Sequence, residues 1–364
     1  MVAFRGKPFM PILQQIQRGT VRATLAGTVL ALALLAATPT HAEVIRAADM
    51  LQGVTITQPQ CAAVPDTVWV KVFGRPFCVR YYISSSGGEG RRPVVFLQGD
   101  KFGKLDGRTR SFYETEKFKD VDTDNLAKFA EAFSKSAKTT AIYLARIGVD
   151  GTSGHHNARK TVLELMLMNA ALDAIKQRHG FEGFHIAGQS GGAALVVGLA
   201  GMRDDIACAV PGAAQLLPRR AIVRRPDSSL EYFDPSERIP VIARKPSLRL
   251  LLVTDPNDKQ VSAPNQAAFV QQLRQAGGKV EQFFVEATDE KHHGVVIYSR
   301  LVVSGCVRGV SNEDIASQLA KLVEKAVAAK RNNGQGAANA NPAPLPQRSR
   351  NDARNAPSSE RPAR

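Results

Sequence analysis

The segment FHIAGQSGGAALVVGLA, residues 184–200, constrains the fold more than any other. It runs from a short apolar stretch of strand type, through Gly188, Gln189, Ser190, Gly191 and Gly192, into a run of small and aliphatic residues that reads as a helix. A strand that bends into a helix within two residues needs neighbours without a Cβ, because the two backbones pass too close for side chains. A serine in the middle of such a Gly-x-Ser-x-Gly bend is held in a strained turn. Its hydroxyl is pushed out above the carboxyl ends of the strands.

The rest of the chain supplies the alternation that such a turn requires. Residues 54–83 alternate β-rich pieces with turn residues, as in an antiparallel hairpin at the start of a sheet. Residues 84–93 read as a loop, 94–99 as a buried strand, and 101–123 as polar and irregular. A helix is expected over 125–136, a strand over 139–146, and a helix over 161–179 with Leu165, Met168, Leu172 and Ile175 on its core face. Beyond Ser190 come strands at 206–210, 248–254 and 280–287, a helix at 265–275 stopped by Gly277 and Gly278, and a closing amphipathic helix at 315–329. Strands alternating with helices predict an α/β architecture, a mostly parallel central sheet with helices on both faces. Residues 216–245, rich in Arg and Pro, form a long connection and a candidate cap over the site. No internal repeat is visible.

The two ends read differently from the middle. Residues 1–42 have scattered positive charges, an uncharged apolar run over 23–37 and then small residues ending at Ala42, the pattern of a cleaved signal peptide. The apolar run is short for a membrane-spanning helix, and no other stretch is longer, so no stable membrane insertion is expected after cleavage. Residues 43–330 have the length of one catalytic domain, and residues 331–364, rich in Asn, Ala, Pro and Arg, are expected to be disordered. The formal net charge is +15, but Lys and Arg are interspersed with Asp and Glu and no aromatic-rich basic stripe occurs. A solvated basic surface is therefore expected, not a nucleic-acid groove. Cys61, Cys78, Cys208 and Cys306 follow the signal segment. An even number in an exported chain predicts disulfides, with Cys61–Cys78 and Cys208–Cys306 favoured among three pairings and a secreted or periplasmic location implied. The spacings do not suit zinc, and no metal or other cofactor is expected.

A serine hydroxyl needs a base to take its proton and an acid to orient that base, in the chain order Ser, acid, His. After the strand at 248–254 comes DPNDKQV, offering Asp255 and Asp258, and after the strand at 280–287 comes TDEKHHG, offering His292 and His293. Asp258 and His293 are preferred, with Asp255 and His292 as alternatives. His155 and His156 precede the nucleophile and are expected as loop or substrate-rim residues and not as bases. The oxyanion of a tetrahedral intermediate needs two N–H donors. Gly191 follows the serine, and Asp100 or Lys101, in the loop after the strand at 94–99, stands where the second belongs. Only the Asp100 backbone can serve, because a carboxylate aimed at a developing anion repels it.

The stretch from Tyr232 to Gly294, with Asp258 three residues before Val261 and His293 directly before Gly294, resembles the catalytic domain of prolyl oligopeptidase-type and dienelactone hydrolase-like enzymes. With GQSGG, the resemblance covers residues 93–294 and implies an α/β-hydrolase with Ser190, Asp258 and His293 as its triad. The loop ARIGVDGTSG is also similar to the loop after the fourth strand in many α/β-hydrolases. Gln98 departs from the family pattern, in which many members carry His before the oxyanion glycine. The expected activity is hydrolysis of a small-molecule ester or peptide through an acyl-enzyme, esterase over peptidase. A non-catalytic binding protein on a hydrolase fold is the other reading.

Overall fold

A computed structural model describes residues 43–101, 120–217 and 228–338. The expected signal segment, the first part of the candidate cap and the last 26 residues of the tail lie outside these residues.

Eight strands form the central sheet: β1 (Thr67–Val72), β2 (Arg75–Ser84), β3 (Val94–Leu97), β4 (Ala141–Leu144), β5 (Phe184–Gln189), β6 (Ile206–Gly212), β7 (Arg249–Thr254) and β8 (Val280–Phe284). They lie in the order β1-β2-β4-β3-β5-β6-β7-β8. β2 runs antiparallel to both its neighbours, and every other adjacent pair is parallel. The β1–β2 hairpin closes on Phe73 and Gly74, both at positive φ (49° and 74°), the two-residue turn whose twist matches that of the strands it joins.

The strands' period of two divides the core. Along β3, Val95 and Leu97 face one side while Val94 and Phe96 face the other, and all four are fully buried. The first side is covered by α2 (Val162–His179), α3 (Gly191–Met202) and α4 (Ala263–Gln275), which contribute Leu165, Met168, Val196 and Phe269. On the second lie α1 (Thr123–Ala137), α5 (Val296–Val307) and α6 (Asn312–Ala338), with Phe133, Tyr298, Val302 and Ile315. Burying β3 on both faces is what its unbroken apolar run implied.

Several boundaries differ from the sequence reading. The early part of 54–83 contains a short helix, Gln58–Ala62, whose Thr57 and Gln60 form a reciprocal capping box. Cys61 therefore lies on a helix and not on a strand. Within 101–123, expected to be irregular, Val121 and Asp122 pair with Val44 and Ile45, and α1 starts at Thr123. α5 was not anticipated. α6 continues to Ala338, into the segment expected to be disordered.

Both favoured cysteine pairs are bonded, Cys61–Cys78 with Cα atoms 5.6 Å apart and Cys208–Cys306 with 6.4 Å. The second ties β6 to α5. The described half of the candidate cap, residues 228–245, lies across α3. A Cβ on Gly198 would come within 2.7 Å of the Phe233 ring, and Lys245 donates to the carbonyls of Ala200 and Arg203 (3.0 and 2.7 Å) at the helix's far end.

Candidate active site

The site is built around the turn from β5 into α3. Ser190 has φ 54° and ψ −116°, a conformation that L-residues avoid and that costs about 1–3 kcal/mol. The turn is held by the Ser190 amide, which donates to the Gly212 carbonyl on β6 (2.9 Å), and by the Ala194 amide, which donates to the Ser190 carbonyl (3.2 Å). Gly188 and Gly192 are required sterically. A Cβ at Gly188 would stand 2.7 Å from the Gly192 carbonyl oxygen, and one at Gly192 would overlap the carbonyl oxygen of Leu97. Ser190 itself is half-buried.

The loops after β7 and β8 bring both Asp–His pairs together. Asp258 is wholly buried at its side chain, and its Oδ2 lies 2.8 Å from His293 Nδ1. Its other oxygen accepts the amides of Gln260 and Val261 (2.8 and 2.9 Å). The carboxylate is thereby fixed as the acceptor of this bond, with His293 Nδ1 as its donor. The second pair, Asp255 with His292, closes at 3.1 Å. Asp255 also accepts the amides of Ala287 (2.7 Å) and Asn257 (2.8 Å), and His292 has a positive φ of 53°. Asp255 thereby also ties the segment after β8 to the end of β7 through the Ala287 amide. The Gln189 side chain donates to the His293 carbonyl at 2.6 Å, so the residue before the serine is bonded directly to the backbone of the histidine.

The sequence reading did not find Asp289. Its carboxylate collects the amides of Lys291 (3.2 Å), His293 (3.0 Å) and Gly294 (2.7 Å), shaping the histidine loop. Burial raises its pKa, but these backbone donors outweigh it and hold the carboxyl below its ordinary value. The TDEKHHG segment displayed this residue, an Asp at the mouth of a turn.

On the oxyanion side, Gly99 packs against the serine, where a Cβ would sit 3.3 Å from that of Ser190. The Lys101 amide is directed at His156 Nε2 (3.4 Å), and that ring's Nδ1 pairs with the Ile147 carbonyl (2.9 Å). Lys101 therefore has its N–H engaged, leaving the Asp100 amide as the candidate partner of Gly191. The Asp100 side chain is turned under the loop against Gly191 and meets Arg146 (2.9 Å), Lys160 (2.9 Å) and Arg159 (3.3 Å). Burial would raise its pKa, but Lys160 and Arg146 prevail and hold the carboxyl well below the carboxylate range. Arg146 in turn donates two hydrogen bonds to Glu164, from Nε and Nη2, each 2.9 Å. None of this cluster beyond Asp100 was singled out from the sequence, although ARIGVDGTSG and the residues after it carry Arg146, Arg159, Lys160 and Glu164.

His155 and His156 lie in the connection between β4 and α2, where His156 is fully buried and His155 caps the short turn that follows it. The His156 ring bridges two connections, one nitrogen meeting the Ile147 carbonyl after β4 and the other the Lys101 amide after β3. Burial, reinforced by Arg146, lowers the His156 pKa to about 3, and burial lowers that of His185 to about 4. Both fall below the ordinary 6.5, so below that pH the unfolded chain binds protons that the native state refuses. The urea unfolding midpoint is expected to fall as pH drops from about 6.5 toward 4, with His156→Gln flattening the decline. A midpoint unchanged over that range would contradict the assignment of neutral buried imidazoles.

A cleft of about 760 Å³ lies between the β8 edge and α6, lined by Phe284, Val285, Val323 and Val327 among others, and none of Ser190, Asp258 and His293 borders it. Among the described residues, no group of three or more His, Cys, Asp or Glu side chains is arranged to hold a metal ion, and no helix is long and apolar enough to cross a membrane.

No family model matches the sequence, and no curated protein matches it. Solved structures similar to the chain include the esterase Pf2001 of Pyrococcus furiosus, at 11% identity and a TM-score of 0.47, covering 71% of this chain and 97% of that one. The acylaminoacyl peptidase of Pyrococcus horikoshii is 13% identical with a TM-score of 0.43, covering 67% of this chain and 40% of that one. TT1662 of Thermus thermophilus is 13% identical with a TM-score of 0.44, covering 67% and 96%. The mostly parallel sheet, the helices on both its faces and the sharp serine turn at the carboxyl end of β5 make this chain an α/β-hydrolase fold.

Proposed function

We propose that the protein is a serine hydrolase that cleaves ester bonds through an acyl-enzyme. The observation that carries this reading is the Asp258–His293 pair, closed at 2.8 Å and bonded through Gln189 to the turn that bears Ser190. Ser190 Oγ attacks the carbonyl carbon while His293 Nε2 takes its proton, and the buried Asp258 carboxylate stabilises the imidazolium. The oxyanion is received by the amides of Gly191 and Asp100, at the positive end of α3. Collapse expels the alcohol, protonated by His293. Water, deprotonated by the same imidazole, then releases the acid and restores Ser190.

An ester is favoured over a peptide because the sequence displays no exopeptidase clamp for a terminal amine. The two disulfides fit an oxidising compartment, supporting export to the periplasm or beyond the cell. A fluorophosphonate probe is expected to label the wild-type protein and not Ser190→Ala, with turnover of p-nitrophenyl esters falling about 10⁴-fold or more in the variant. Aminoacyl anilides should be poorer substrates than the esters. A wild-type protein inert to both probe and esters would instead favour a binding protein on a hydrolase fold.

A further inference from the structure

Residues 98–101 cross the N-terminus of α3 at van der Waals distance, and the Gln98 carbonyl oxygen lies 2.5 Å from where a Cβ on Gly192 would be. From beneath, a single buried side chain grips both sides of Gly99. Arg146 Nη1 donates to the Gln98 carbonyl (3.1 Å) and to Asp100 Oδ1 (2.9 Å), while Nε and Nη2 are taken by Glu164. The Arg146 side chain is 1% exposed and that of Glu164 fully buried. A planar fork with every face committed cannot swing, so it transmits the position of α2, which carries Glu164, to the oxyanion loop.

We propose that Arg146 and Asp100 form a positioning pair that presents the Asp100 amide to the oxyanion and neutralises the Asp100 carboxylate, which lies beside Gly191. The inference rests on the serine-hydrolase reading. It explains why an acidic residue is compatible with this position. Its charge is met on one oxygen by Arg146 and on the other by Lys160 and Arg159, so the developing oxyanion faces a carboxylate already neutralised and pinned. Buried ion pairs contribute little net stability, which makes a geometric role the better use of this one.

The test compares Asp100→Ala, Asp100→Asn and Arg146→Lys in the full-length protein, with p-nitrophenyl acetate turnover, fluorophosphonate labelling and thermal melting measured together. Asp100→Ala is expected to lower kcat about 100-fold with KM within about threefold, since an oxyanion donor acts on the transition state and not on the bound ester. Asp100→Asn keeps an oxygen for Arg146 and should recover to within about tenfold of wild type. Arg146→Lys keeps the charge without the fork and should behave like Asp100→Ala. Wild-type kcat in folded Asp100→Ala overturns the pair, as does Asp100→Asn no better than Asp100→Ala. If Asp100→Ala does not fold, wild-type kcat in Arg146→Lys overturns it as well. Failure of the wild-type protein to react with the probe removes the hydrolase reading and this inference with it. A reactive wild type with unaffected variants removes the positioning pair alone.

Discussion

His293→Ala is expected to slow ester hydrolysis by about 10⁴- to 10⁶-fold, and His292→Ala by less than about tenfold. The two histidines are adjacent, and each meets a buried aspartate through Nδ1, so distance to an acid does not separate them. Their surroundings do. The carbonyl of His293 is held by Gln189, next to the proposed nucleophile, and its amide by Asp289. His292 shares its acceptor atom, Asp255 Oδ2, with the Ala287 amide, and it occupies a left-handed backbone position that suits a latch. Steady-state kinetics on one activated ester, with probe labelling as a second readout, decides between them. The reverse order of effects would transfer the base to His292 and the acid to Asp255.

Loss of the Cys208–Cys306 bond is expected to cost about 4.7 kcal/mol, against about 3 kcal/mol for Cys61–Cys78. The two close loops of very different length, with sequence separations of 98 and 17 residues, and a longer loop removes more freedom from the unfolded chain. The longer bond also joins two parts of the site. β6 provides Gly212, whose carbonyl accepts the Ser190 amide, and α5 follows directly on the histidine loop. Thermal unfolding of the Cys208→Ser/Cys306→Ser protein should therefore fall by an amount of order 10 °C, and the drop should exceed that of the Cys61→Ser/Cys78→Ser protein. Equal losses would show that native-state packing, and not loop closure, sets their worth.

The elements legible from sequence are those whose pattern is local. β3 and β7 are largely apolar runs ended by Gly or Asp, β5 ends in the Gly-x-Ser-x-Gly turn, and α2 and α4 have both periodicity and caps, Thr161 for one and Ser262 for the other. α5 escaped because its sequence, VIYSRLVVSGCV, is rich in β-branched residues and has no capping side chain. It is helical because the sheet face and α1 bury it, an instance of tertiary context overriding propensity. The Asp and His doublets were legible as doublets, since position after β7 and β8 is a matter of topology. Which member of each pair meets which depends on backbone turns that composition does not encode. The ion cluster under the oxyanion loop was invisible for another reason. Asp100, Arg146 and Glu164 come from three separate segments, and each alone reads as a surface charge.

The paired bridges Asp255–His292 and Asp258–His293 have a consequence for how the fold can vary. Because both span the same two loops, they act as a gauge of segment length. Adding or removing one residue between Asp255 and Asp258, or displacing the histidine doublet by one, would misalign one bridge whenever the other closed.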